Sequence, residues 1–372
     1  MRILYITTIS ATVNAFFKSH IKMLVSYGHQ VDMACNFKDM EPDPFYLQLG
    51  CKPYQVDFSR APISTDNVTA FKQLKKVIES GNYDIVHCHT PNASVITRLV
   101  CRKFRKKNGL KVFYTAHGFH FYKGAPKLNW LVYYPVEKFC SRFTDKLITI
   151  NKEDYELAKN KFKAKEVCYV PGVGIDLSKY ENVQVDRKEL RQQLGIPDEA
   201  FLIVSIGELS KRKNQITILQ ALAKLEDKNI HYILVGNGLM LQQLQQYTEE
   251  NGISDRVHFL GYRTDIAQLY KISDVCCFSS IHEGLPVALM EAMACGTPIV
   301  CSKIRGNADL IDKESGILLD PHNADEFAAA LQKMSKDVQL RDKFSKANLN
   351  KIHQFAEENI LKELKGVYNV GS

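Results

Sequence analysis

What this 372-residue chain lacks narrows its class before anything it contains. Nowhere do 18 or more apolar residues run together, so no transmembrane helix is predicted, and Met1 to Ile6 leads into polar threonines, not the apolar core of a signal peptide. A cytoplasmic chain is expected. Its ten cysteines include no Cys-x-x-Cys pair, and Cys88, Cys276, Cys277 and Cys301 fall in apolar runs. They read as reduced, buried, small hydrophobes and not as a disulfide framework. No Gly-x-Gly-x-x-Gly follows the first apolar run; the residues there are Thr7-Thr8-Ile9-Ser10-Ala11-Thr12. Bulky side chains in that turn would hold a pyrophosphate away, which argues against a nicotinamide-type oxidoreductase. No nucleic-acid-binding motif is present either, so nucleic acid is not an expected partner.

What is there fits a globular protein: 45% apolar and 24% charged residues, in a chain long enough for two domains of ordinary size. The charge is uneven. Residues 1–185 carry 27 Lys and Arg against 16 Asp and Glu, a net of +11, whereas the remainder carries 22 against 25, a net of −3. The basic half wants an acidic partner. Ser94 to Lys107 mixes Val95, Ile96, Leu99, Val100 and Phe104 with six cations, and the following stretch to Phe139 is rich in Trp130, Tyr133, Tyr134 and other aromatics. Either stretch can lie on an anionic membrane surface; the alternative is a solvated basic face of a helix covering a sheet.

Apolar runs at Arg2 to Thr7, Val31 to Cys35, Tyr83 to His87, Lys111 to Thr115, Lys146 to Ile150 and Val167 to Val170 alternate with helical segments. That alternation predicts a parallel, doubly wound sheet. Pro171-Gly-Val-Gly174 and the polar run to Arg187 mark a linker, after which Phe201 to Ile206, His231 to Val235 and Val257 to Leu260 start the pattern again. The fold class is thus α/β. The expected domains are 1–175 and 176–351, with a C-terminal helix, 352–372, packing back on the first.

The most informative stretch is 273–301. Val275 to Phe278 and Ile299 to Cys301 read as fully buried strands, and between them lies a helix with Pro286 at its first position and Gly296 at its C-terminal end. Glu283 precedes this helix and Glu291 sits within it, among Val287, Ala288, Ala294 and Cys295, so the helix is expected to be buried all round. A carboxylate buried there needs hydrogen-bond partners, which a bound polyol would supply. Alternatively, Glu283 complements a helix dipole, worth about 0.3–1 kcal/mol, and Glu291 lies on an exposed stripe or meets an arginine. Gly284 and Leu285 at the helix N-terminus offer backbone N–H groups to an anion, which together with the carboxylates suggests a nucleotide sugar.

A second anion site is expected where Gly207 is followed by Lys211, Arg212 and Lys213 ahead of a helix; solvated lysines are the alternative. Tyr262, after Gly261, is a candidate to face a nucleotide base. His87, His89, His117 and His120 cluster near two strand ends, which border the ligand crevice of an open α/β sheet. Zinc is conceivable there, but no cysteine or carboxylate set has ligand spacing, so no metal is expected.

Glu283-Gly-Leu-Pro-Val-Ala-Leu-Met-Glu291 resembles the Glu-x7-Glu signature of the family 4 retaining glycosyltransferases, and the likeness extends over nearly the whole chain. It implies the GT-B fold, two facing Rossmann-like domains, with the donor on the second and the acceptor on the first. It further implies that Glu283 contacts the donor sugar and Glu291 the nucleotide ribose. Thr115-Ala116-His117-Gly118 is similar to the family's His-Gly loop, which would put His117 near the donor sugar and the reacting phosphate oxygen once the cleft closes over Glu283. Lys213 matches the family's diphosphate lysine, whereas Glu208 stands where the family has an arginine, leaving Arg212 to replace it. Thr8 falls in the loop that faces donor phosphates, and His120, His89 and Tyr122 are acceptor-side candidates. The implied activity is a hexosyltransferase that moves a sugar from a UDP-sugar to a lipid-linked saccharide without metal or other cofactor, at the inner membrane face, as in capsule and exopolysaccharide synthesis. The alternatives are a nucleotide-sugar epimerase of the same fold or a noncatalytic sugar-binding subunit.

Overall fold

The computed structural model describes residues 1–370, the side chain of residue 108 excepted. The first seven strands are β1 (Arg2–Ile9), β2 (Gln30–Asn36), β3 (Pro53–Gln55), β4 (Ile85–Cys88), β5 (Lys111–Ala116), β6 (Lys146–Thr149) and β7 (Glu166–Tyr169). They pair in parallel in the order β3-β2-β1-β4-β5-β6-β7. Ile3 to Thr8 of β1 are all buried, as a strand covered on both faces requires.

The next six are β8 (Phe201–Ile206), β9 (Ile230–Val235), β10 (Val257–Gly261), β11 (Val275–Phe278), β12 (Ile299–Ser302) and β13 (Gly316–Leu319). They form a second parallel sheet in the order β10-β9-β8-β11-β12-β13. Each sheet reverses its winding direction once, between β1 and β4 in the first and between β8 and β11 in the second. At such a reversal the loops leaving the carboxyl ends of adjacent strands part and leave a crevice.

Three differences from expectation have physical causes. The edge strands β3 and β13 carry no strong signal, because β3 is three residues long and opens with Pro53, and β13 opens with Gly316. The turn expected at Thr7 to Thr12 does not exist: β1 runs through Ile9 and a helix, Ser10–Phe16, starts at once. The chain divides into two compact units, residues 1–174 with those from Glu357 on, and Ile175–Ala356, so the return falls at Glu357 and not at 352. Ile352 still ends the preceding helix, and Ala356 bridges to Ile175 within the second unit. The Glu357–Tyr368 helix then buries Ile360, Leu364, Val367 and Tyr368 against Ile3, Tyr5 and Phe113. Its entry passes so near Gly174 that a Cβ there would lie 2.8 Å from the Glu357 Cα.

Candidate active site

In the second unit the loop after β8 carries Lys213 and the loop after β11 carries Glu283, so residues 70 apart meet where the strand order reverses. Lys213 Nζ lies 2.8 Å and Arg212 Nη1 2.7 Å from the same Glu283 oxygen, Oε1. The two loops are laced together. Asn214, held at a positive φ of 56°, donates to Ser279 O at 3.1 Å and Pro321 O at 2.7 Å; Ser279 Oγ donates to Asn214 O at 2.8 Å, and Ile281 N to Arg212 O at 2.9 Å. The lysine stem runs past Gly207, where a Cβ would sit 3.4 Å from Lys213 Cε, and its ammonium stands 4.6 Å from the centre of the Phe278 ring.

Glu283 is 7% exposed. Burial pushes its pKa up, but the charges of Lys213 and Arg212 outweigh burial and hold it below the ordinary carboxylate range. Burial draws Lys213 down from the lysine range, against the opposing pull of Glu283. A carboxylate kept ionised beside two cations is a site able to bind hydroxyl groups and phosphate oxygens side by side.

The helix after Glu283 spans Val287–Ala294, with Pro286 capping it from outside and not at its first position. Leu285 is buried, and Gly284 is approached so closely by Gly306, at φ 78°, that a Cβ on Gly306 would fall 2.3 Å from Gly284 O. Leu289, Met290, Ala292, Met293 and Ala294 are buried, but Val287, Ala288 and Glu291 are partly exposed. The expectation of burial all round is therefore corrected: a stripe stays open, and Glu291 lies on it. Its Oε1 accepts a 2.9 Å hydrogen bond from the Tyr180 hydroxyl. Burial raises the Glu291 pKa and the Tyr180 bond opposes the rise. Tyr180 was missed because it lies in a polar linker with no motif around it. Tyr262 follows β10 and is 77% exposed, and the preceding Gly261 accepts a 2.8 Å hydrogen bond from Gly236 N.

In the first unit His87, His89 and His117 lie ring against ring in a stack, with His20 beside it against Phe17 at 5.6 Å. Ring centres lie 4.1 Å apart for His87 and His89 and 5.6 Å for His89 and His117, with His89 Nδ1 3.3 Å from His117 Nε2. His20 Nε2 bonds Val173 O at 3.0 Å. The Tyr368 hydroxyl donates to Tyr5 at 3.0 Å and contacts His87 Nδ1, while His87 Nε2 pairs with Thr115 Oγ1 at 2.8 Å. Burial lowers all four pKa values, to about 4 for His20 and for His117, so the stack is neutral at physiological pH. His117, at the end of β5, is partly exposed. His89 is buried in the stack with no hydrogen-bond partner for its Nε2, which corrects its assignment to an acceptor surface. Among the described residues no group of three or more His, Cys, Asp and Glu is placed to hold a metal ion.

A cavity of about 580 Å³ opens at the reversal between β1 and β4, with Thr8, Thr90, Asn92, His120, Tyr133 and Glu137 in its wall. Thr8 therefore belongs with His120 in the first unit's cavity, and its Oγ1 shares a 2.6 Å hydrogen bond with Thr90 Oγ1. Ser10, in the same stretch, is buried and its hydroxyl donates to Met40 O. His120 stacks on Tyr133 at 4.8 Å, and Tyr122 is partly buried, its carbonyl taking the Trp130 indole N–H at 3.2 Å. At the cavity floor Glu137 meets the buried Arg98 at 2.8 Å, and that guanidinium lies 4.3 Å from the centre of the Tyr114 ring. Sequence reasoning missed this pair, because 39 residues separate its members.

Two doubly wound parallel sheets, with a carboxylate and cation cluster at the reversal of the second, define a GT-B glycosyltransferase. The Anabaena protein Alr3699/HepE, solved with UDP and glucose, matches the fold with a TM-score of 0.80 at 22% identity over 99% of both chains. The family models for glycosyl transferases group 1 and for glycosyl transferase 4-like proteins match residues 186–351 and 2–151. EpsD of Bacillus subtilis (strain 168), named as a glycosyltransferase, is 35% identical over 99% of this chain and 96% of its own. The UDP-Gal:alpha-D-GlcNAc-diphosphoundecaprenol alpha-1,3-galactosyltransferase of Escherichia coli is 29% identical over 82% of this chain and 84% of its own. The chain belongs to the family 4 glycosyltransferases, and it is a hexosyltransferase of glycan biosynthesis.

Proposed function

We propose that the chain transfers a hexose from a UDP-sugar to a lipid-linked saccharide, with retention of anomeric configuration, at the cytoplasmic face of the membrane during polysaccharide assembly. The observation that carries this reading is Glu283, buried between Lys213 and Arg212 at the reversal of the second sheet. The names of the Escherichia coli relative's donor and acceptor support the two substrate classes. Lys213 and the more exposed Arg212 take the donor diphosphate; Glu283 takes hydroxyl groups of the sugar, Glu291 those of the ribose, and Tyr262 stacks on the base. His117 of the first unit serves as a neutral imidazole.

In the reaction the bond from the anomeric carbon to the diphosphate breaks, the acceptor oxygen bonds that carbon on the same face, and the acceptor proton passes to the departing phosphate oxygen. Lys213 and Arg212 stabilise the charge that develops there, so no metal ion takes part. The test is calorimetric titration with UDP, GDP and ADP in the presence of a chelator, with Lys213→Ala and Glu291→Ala beside the parent. UDP alone is expected to bind, and more weakly to both variants. Equal binding by parent and variants, or an inverted product by NMR, would sink the reading.

A further inference from the structure

Two imidazoles meet at the carboxyl ends of neighbouring strands in the first unit. His89 follows β4 and His117 follows β5, and the parallel pairing of Cys88 with Tyr114 brings them side by side, with His89 Nδ1 3.3 Å from His117 Nε2. The His89 ring is clamped. His87, Phe17 and Tyr5 stand 4.1, 4.2 and 4.9 Å from it between ring centres, and its backbone N–H donates to Ile6 O at 3.0 Å. Burial keeps both rings neutral, so each carries one proton and a single proton lies between them.

Two arrangements satisfy that bond. If His117 donates through Nε2, the proton of His89 must sit on its own Nε2, which is buried with no hydrogen-bond partner among the described residues. The void beside the rings holds about 10 Å³, at the lower bound for a water, and is walled largely by Phe17, Ile148, Ile150 and Val170, whose side chains accept no hydrogen bond. A buried N–H without an acceptor is rarely left in a folded interior. If His89 donates instead, its Nε2 is a bare nitrogen resting on carbon, and its N–H is not stranded. We propose that His89 is a positioning residue, which donates through Nδ1 to His117 Nε2 and locks His117 as the Nδ1–H tautomer. The partly exposed His117 then offers a ligand a hydrogen-bond donor and not a basic nitrogen. It steadies an oxygen that gains negative charge and takes no proton from the acceptor. That use rests on the proposed function; the tautomer does not.

The histidine nitrogens of the full chain are isotope-labelled, and NMR correlation of ring nitrogens with ring protons reads the tautomer without any substrate. His117, identified by the signals lost in His117→Gln, is expected to carry its proton on Nδ1. His89→Phe keeps a ring in the stack but no donor, so His117 should go over to the Nε2–H form that a free imidazole prefers. His89→Asn puts an amide N–H near the place of Nδ1 and should restore the Nδ1–H form. The same variants are followed by UDP release from UDP-hexoses. His89→Phe should lower kcat roughly ten- to a hundred-fold with the donor KM little changed, and His89→Asn should recover most of the loss. A residue that only filled space would rank the two the other way, since Phe replaces the ring and Asn leaves a gap. A parent whose His117 carries its proton on Nε2, a reading that needs no variant to fold, overturns the proposal. So does a His89→Phe chain that keeps the parent's tautomer or turns over faster than His89→Asn. A parent that releases UDP from no UDP-hexose would remove the proposed function and leave the tautomer assignment standing.

Discussion

The two sheets reverse their winding in the same way, yet the chain fills the two crevices with opposite chemistry. At the reversal of the second sheet it gathers charge, with Lys213 Nζ and Arg212 Nη1 both within 2.8 Å of Glu283 Oε1. Beside the first it gathers neutral imidazoles and an apolar cavity, and keeps its buried ion pair, Arg98 with Glu137, on the cavity floor. The same topology thus carries a charged crevice in one unit and a largely apolar one in the other. A buried charge is structural where its partner fully satisfies it and functional where a ligand can share it.

That contrast can be broken most directly at the two ion pairs. Arg98→Met strands Glu137 in a buried site and should destabilise the first unit by about 3–5 kcal/mol. The chain's one tryptophan, Trp130, lies in that unit, so its emission during urea unfolding reads the loss. Lys213→Met should leave this transition in place and instead lower kcat by about 10²- to 10³-fold, since it removes charge from the leaving diphosphate. A small kinetic effect at Lys213, or a small unfolding effect at Arg98, would erase the distinction.

The imidazoles give a test by pH. Folded His20 is held down to about 4, while an unfolded histidine titrates near its ordinary value of 6.5. Between these values the unfolded chain binds a proton and the folded one does not, so stability falls as pH drops from 6.5 toward 4 and levels off below. The shift is worth roughly 3 kcal/mol. His20→Gln keeps a donor for Val173 O, and the Trp130 transition should then lose part of its acid sensitivity. An unchanged pH profile would mean that the stack is hydrated.

Smaller effects sharpen the second site. Tyr180→Phe removes a hydrogen bond worth about 1 kcal/mol from Glu291. Burial is then opposed only by the charge of Lys179, so the pH at which UDP affinity falls off on acidification should rise. Glu208→Arg adds a further cation beside Lys213 and Arg212, and UDP affinity measured by calorimetry should increase a few-fold, about 0.5–1 kcal/mol for an exposed charge. A larger gain would mean that Arg212 does not substitute for the missing arginine.

Much of the architecture was readable because its signals are local. Phe201 to Ile206 and Val275 to Phe278 are apolar runs bounded by breakers, and both are strands as read. The Glu283 to Glu291 stretch carried the resemblance, and Lys213 fell at its anticipated loop. The edge strands β3 and β13 escaped because pairing on one side alone asks little of sequence. Glu291 was misjudged because helical spacing says which residues share a face, not whether another element covers it.

The sequence by itself determined the alternation of strands and helices, the reduced cysteines, the basic first half and the residue types able to bind a nucleotide sugar. Those properties depend on neighbours a few positions apart. Only the tertiary structure decided that Lys213 and Arg212 share one oxygen of Glu283, that Tyr180 reaches Glu291, that Thr8 turns to Thr90, and that the aromatics of the Lys127–Cys140 helix face inward. Each of these depends on which strands lie adjacent in a sheet, and strand order is fixed by burying whole faces together, a property no single stretch carries.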